Sequence, residues 1–162
     1  MNQIGDYVVC PGHGVGLILN IESKMVGDLQ RDFYLIRIVS NSMMVMIPTD
    51  LEDGIRNLID HSDVDSVFTL LSDHQVKIDT STWNRRYRDY VNKVKTGSLL
   101  EIADVLRSLL LLKSMKKLSF GERRMLEQCK ELIVKEVSIS VGKNEVEVEA
   151  QIESCFNSST AI

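Results

Sequence analysis

Trp83, Arg85, Arg86 and Arg88 stand within six residues of one another, and one large aromatic ring among three guanidinium groups is the chemistry of a nucleic-acid contact. On a helical wheel at roughly 100° per residue, Trp83, Tyr87, Tyr90, Val91 and Val94 fall on one side. Arg85 and Arg88 fall together on the opposite side, with Arg86 on the flank. Two guanidinium groups so placed address one phosphate backbone. A tryptophan in the first helical turn can project past the helix end and act as a wedge at a base step. The same residues also fit an ordinary amphipathic helix with a core tryptophan and a solvated basic face. The residues of this segment alone leave both readings open.

The formal net charge of −4 counts at first against a polyanionic partner, because DNA binding rests on neutralising phosphates. The average hides an asymmetry. Residues 1–82 hold 5 Lys and Arg against 12 Asp and Glu, residues 83–135 hold 13 against 6, and residues 136–162 hold 1 against 5. A basic middle is flanked by acidic ends, which points to two tasks for two pieces of chain. With 162 residues, 44% hydrophobic and 26% charged, the chain can form packed cores and carries no extended polar tract.

The elements that would position these groups change type along the chain. From Asp6 to Ile47, short β-type runs (Tyr7 to Val9, Val15 to Ile21, Phe33 to Val39, Met43 to Ile47) alternate with turn chemistry at Pro11-Gly12-His13-Gly14, Met25-Val26-Gly27-Asp28 and Asn41-Ser42. Four or five such strands predict a small SH3-like barrel or curled sheet, with Pro48 ending the last clear strand. Helical periodicity follows. Ser62 and Asp65 fit a capping box before Val64, Val67, Phe68 and Leu71, and Asp73 to Ser81 reads as a linker. Thr82 and Gly97 bracket the Trp83 helix. Ser98 with Glu101 and Ser119 with Glu122 supply two further capping boxes, each opening an apolar stripe. Gly142 breaks the last of these. A short helix through Val148, Ile152 and Cys155 is expected after Asn144, with a strand at Glu145 to Glu149 as the alternative. Residues beyond Asn157 read as a loose end.

Three motifs carry a resemblance. Ile4-Gly5-Asp6-Tyr7-Val8-Val9-Cys10-Pro11-Gly12-His13-Gly14-Val15-Gly16 resembles the opening of the RNA polymerase interaction domain of the CarD/CdnL family. Trp83-Asn84-Arg85-Arg86-Tyr87-Arg88 resembles that family's W-x-R-R-Y-[KR] stretch, and Leu118 to Leu126 resembles its L-S-x-G-E-[KR]-[KR]-M-L stretch. The resemblance implies an α+β chain. Residues 1–55 would be a Tudor-like module that holds the β subunit of bacterial RNA polymerase. Residues 56–162 would be an all-helical unit contacting promoter DNA, with an acidic tail from about residue 142 whose match to the family is poor from Glu145 onward. It also implies that Trp83 wedges at the upstream fork of the transcription bubble from the minor groove, with Arg85 and Arg88 on nearby phosphates. Arg86 is included with them as an expected DNA contact. Lys24 falls where the family places a basic polymerase contact, and Val26 and Met46 belong to the same interface. Some members have a contacting arginine where Met46 stands, so that contact would be apolar or absent here, and an aromatic is common where this chain has Cys10.

Other function classes lack their parts. Pro11-Gly12-His13-Gly14 has no Lys-Ser/Thr ending and no helix after it, so a turn is expected rather than a phosphate loop. His61 and His74 are isolated, and no nucleophile–base pair or metal-ligand spacing is present, so neither an enzyme nor a cofactor is expected. Cys10, Cys129 and Cys155 are odd in number and far apart, which fits reduced thiols. The start of the chain has neither a basic n-region nor an apolar run, no stretch approaches the ~20 apolar residues of a membrane span, and a cytoplasmic location at the nucleoid is expected. A free-standing repressor with a helix-turn-helix is the competing reading, weakened by the long segment from Lys113 to Leu118.

Overall fold

The computed structural model describes residues 2–77 and 81–157. The chain divides into two compact units, Met1–Leu58 and Ile59–Ile162. The first is an antiparallel sheet of Tudor-like type built from β1 (Tyr7–Cys10), β2 (Gly14–Val26), β3 (Leu29–Ile38), β4 (Met44–Pro48) and β5 (Arg56–Asn57), in the order β4-β3-β2-β1-β5. Val8, Ile18, Tyr34, Ile36 and Ile38 form its core. The boundary lies three residues later than residues 1–55 would place it. Arg56 and Asn57 pair with Val9 and Val8, and this bridge binds them to the first unit. Likewise β2 runs to Val26 rather than ending at Ile21. Its pairing with β3 slips between Ile18 and Asn20, and this bulge interrupts the alternation that the sequence shows.

The second unit packs five helices: α1 (Val64–Ser72), α2 (Trp83–Lys95), α3 (Leu99–Lys113), α4 (Phe120–Val141) and α5 (Glu145–Asn157). Leu71, Ala103, Val105, Leu106, Leu109 and Ile133 are completely buried among them. Their helix-type spacing explains the layering, since each helix hides one stripe and exposes the other. The cap at Ser98 accepts a hydrogen bond from the Glu101 amide, and Ser119 with Glu122 forms the full reciprocal box. Gly142 closes α4 at φ 71°, a left-handed conformation that glycine adopts without strain. The expected box at Ser62 and Asp65 does not form. Instead a single 3₁₀ turn, His61–Asp63, leads into α1, whose first flanking residue Asp63 is already helical. After Asn144 the chain is helical, not extended, and the Asn144 Oδ1 accepts from the Glu147 amide at 2.9 Å.

Ion pairs fix the outer helices. Asp104 on α3 takes both Lys93 of α2 and Arg107, while Lys130 and Lys135 of α4 reach Glu149 and Glu145 of α5 at 2.8 and 2.7 Å. The start of the unit is tied to α4: the Ile59 amide donates to Glu136 at 2.7 Å and the Ser140 hydroxyl donates to the Ile59 carbonyl at 2.7 Å. The three cysteines are free and buried. Burial pushes the thiols of Cys10 and Cys129 up to about 11 and about 12, so both are protonated and inert at neutral pH. Among the described residues, no helix is long and apolar enough to cross a membrane. Of the segment read as a linker, residues 78–80 lie outside the described residues, as does the loose end beyond residue 157.

Candidate nucleic-acid interface

The start of α2 meets the start of α4, and three side chains make the junction. Thr82 stands at the N-cap position of α2 without a side-chain cap, and its carbonyl accepts from the amides of Arg85 and Arg86 at 3.1 Å each. The first two turns of helix then set Trp83, Arg86 and Tyr90 on the inward side. Trp83 is partly buried. Its indole lies 5.4 Å from the Tyr87 ring and 6.2 Å from the Tyr90 ring, centroid to centroid, with the Arg86 guanidinium carbon 5.4 Å from the indole centroid. Across from these rings is the backbone of Gly121. A Cβ added there would come within 3.0 Å of the indole Nε1 and 3.3 Å of two ring carbons. A side chain here would press on the indole, which would have to give by a few tenths of an ångström. The ring is thus clamped before any ligand arrives, which lowers the ordering cost of using it as a contact.

Arg86 is turned the other way from its neighbours. It is 6% exposed, and its guanidinium donates to the Ser81 carbonyl at 3.0 Å and to Glu122 Oε2 at 3.1 Å. Glu122 is 1% exposed and is saturated with donors. Its Oε1 accepts from the Ser119 amide at 2.9 Å and from Lys116 Nζ at 3.4 Å, while the Glu122 amide donates to the Ser119 hydroxyl. Burial opposes ionisation of this carboxyl, but the Ser119 amide and hydroxyl, Arg86 and Lys116 outweigh it and hold it down at about 2. One carboxylate therefore caps α4 and neutralises the buried cation of α2. Arg85 and Arg88 remain exposed, as does Tyr87 at 48%.

The basic surface continues on α4. Arg123 and Arg124 are exposed, and a groove of about 640 Å³ beside them is lined by Lys113, Lys116, Lys117 and Leu118 as well as Arg123. Six residues separate α3 from α4, more than the turn of a helix-turn-helix requires.

In the first unit, the strand register places Lys24, Val26 and Met46 on one face of the sheet. Lys24 pairs with Arg31, Val26 with Leu29, and Leu35 with Met46, all opposite to the face that carries Ile36 and Tyr34 inward. Lys24 Nζ reaches the Met46 thioether at 3.5 Å. Val26, Leu29, Met44 and Met46 are all exposed, at 49%, 73%, 48% and 37%. An apolar strip with a cation across it on a small sheet is the composition of a protein-docking face.

Residues 3–59 match the CarD-like/TRCF RID domain, and residues 66–153 match the CarD C-terminal domain. The chain belongs to the CarD family. A Bacillus subtilis (strain 168) protein named "Putative transcription factor YdeB" is 33% identical over 152 residues, covering 93% of this chain and 99% of that protein. CarD proteins are of the transcription-regulator type and not an enzyme class.

Against this CarD background two expectations need correction, the first being the poor match expected from Glu145 onward, since the matched C-terminal domain runs to residue 153. Arg86, taken from the wheel as a flanking DNA contact, is an internal ion-pair partner with almost no surface to offer a phosphate. The inward stripe of α2 is Arg86, Tyr90 and Val94, and Tyr87 takes the more exposed position. A long aliphatic stem lets arginine run along an apolar face when a carboxylate waits at its end. The residues missed as site members are Gly121 and Glu122. Both stand in the Leu118 to Leu126 motif, where Glu122 was legible only as a cap.

Proposed function

We propose that this CarD-family protein docks on the β subunit of bacterial RNA polymerase through the Lys24, Val26 and Met46 face, and stabilises the promoter open complex through its helical unit. Trp83 is the wedge at the upstream fork, and Arg85 and Arg88 bind flanking phosphates. The observation that carries this reading is the partly exposed indole, packed against Gly121, at the start of a helix whose two outward arginines make no ion pair among the described residues. Apolar wedges entering from the minor groove unstack a base step, and phosphate contacts hold the register without reading sequence. Two arginines are too few for tight binding alone. Docking one unit of a chain raises the effective concentration of the other to the order of mM, so weak contacts suffice. At Met46 the polymerase contact is apolar.

The double substitution Arg85→Ala with Arg88→Ala tests the phosphate assignment. Each neutralised phosphate contributes about 0.9 to the slope of log affinity against log salt, so the slope should shrink by about 2. Titrating promoter complexes at several salt concentrations measures it. An unchanged slope would remove these residues from the interface.

A further inference from the structure

Packing does not explain Phe120. It is the first residue of α4 and 67% exposed, and the neighbouring core position is taken by Leu118, which is buried. The Arg124 guanidinium carbon lies 5.8 Å from the ring centroid. Next along the chain is Gly121, the residue against which the Trp83 indole rests. Consecutive Cα atoms are about 3.8 Å apart, so the Phe120 backbone lies within about 8 Å of the indole nitrogen. The surroundings are strongly basic. Between Lys113 and Arg124 there are five cations and one acid, and that acid is the buried Glu122.

An exposed aromatic ring among cations is complementary to a stackable base on a phosphate chain. A fully paired duplex keeps its base faces covered, so such a ring finds a partner only where bases are unpaired. We infer that Phe120, with Arg123 and Arg124, is a stacking contact for an unpaired base of single-stranded DNA beside the Trp83 wedge. This rests on the reading of Trp83 as a DNA contact and extends it from duplex edge to displaced strand.

The test uses the full chain at low salt, with fluorescence anisotropy on two labelled oligonucleotides: a duplex bearing a single-stranded arm, and the same sequence as a blunt duplex. Phe120→Ala should weaken binding to the forked DNA roughly tenfold, the usual scale for one base–aromatic stack, and leave the blunt duplex unaffected. Phe120→Trp should retain fork binding, and Phe120→Leu, apolar without a ring, should behave as the alanine variant. Wild-type affinity of Phe120→Ala for the fork, with Trp83→Ala still impaired, overturns this inference and leaves the Trp83 reading standing. Full fork affinity in Phe120→Leu, or equal losses on both DNAs, also overturns it, the former pointing to a protein-docking patch. Failure of the wild-type chain to bind the forked DNA at low salt overturns this inference, while the Trp83 reading is decided on the polymerase-tethered chain by open-complex lifetime.

Discussion

Glu122→Ala is expected to lower the stability of the helical unit by about 3–5 kcal/mol, because it leaves the buried Arg86 guanidinium without its counter-charge. The same change removes the side chain that reaches back to the Ser119 amide, so α4 keeps its Ser119 cap but loses the reciprocal half of the capping box. Against a typical domain stability of about 5–15 kcal/mol, this is a large fraction. The pH dependence has a definite sign. The ordinary carboxyl value is 4.5 and the folded one about 2, so the unfolded chain binds the proton more tightly. The stabilisation is complete above about pH 5 and fades as pH falls from there toward 2. Urea titrations followed by far-UV circular dichroism at several pH values check this. A loss under about 1 kcal/mol at pH 7, or an acid limb in the variant as steep as in the wild type, would contradict the assignment. One consequence concerns Arg86. Its substitution should harm promoter function by loosening the α2–α4 junction, with a fall in stability that Arg85→Ala and Arg88→Ala do not show.

Lys24→Glu combined with Met46→Glu should weaken capture of the polymerase β subunit by about a hundredfold, on the scale of a few central contacts in a docking patch. The two side chains touch each other, and both are exposed, so the pair changes the face without disturbing the core beneath it. Reversing the cation and inserting a second acid places like charges in the apolar strip of the proposed interface. Pull-down or surface plasmon resonance with the isolated β subunit measures the effect. Capture at wild-type strength would move the docking surface elsewhere on the molecule.

The sequence read best where structure is locally determined. Ser98 and Ser119 cap the helices they were assigned to, and Gly97 and Gly142 take left-handed conformations after α2 and α4, at φ 73° and 71°. These signals need only neighbours within a turn. The strand cores were visible for the same reason, whereas the last residues of β2 were not, because Glu22-Ser23-Lys24 are polar and follow a bulge that shifts the alternation. The two-residue β5 has no local pattern at all; it exists through its pairing with β1. At the candidate site, Trp83, Arg85 and Arg88 were singled out by type and spacing, which left a core tryptophan equally open, and their assignment to DNA came from the family resemblance. Arg86 was misplaced because its orientation is set by Glu122, a residue 36 positions away that periodicity cannot see. A helical wheel ranks arginine as outward by its charge. Here the carboxylate held ionised at the start of α4 reverses that preference. The clamp on the indole was hidden in the same way, since Gly121 shows its purpose only when the ring is seen against it.

The most direct measurement for the proposed mechanism is the decay of open complexes on a single promoter after competitor challenge, with no added protein, with the wild-type chain, and with Trp83→Ala. The wild-type chain should lengthen the lifetime, and Trp83→Ala should lose most of that gain, roughly tenfold if one unstacked step is worth about 1.4 kcal/mol, while still co-purifying with polymerase. Equal lifetimes with wild-type and Trp83→Ala protein, both bound to polymerase, would contradict the wedge.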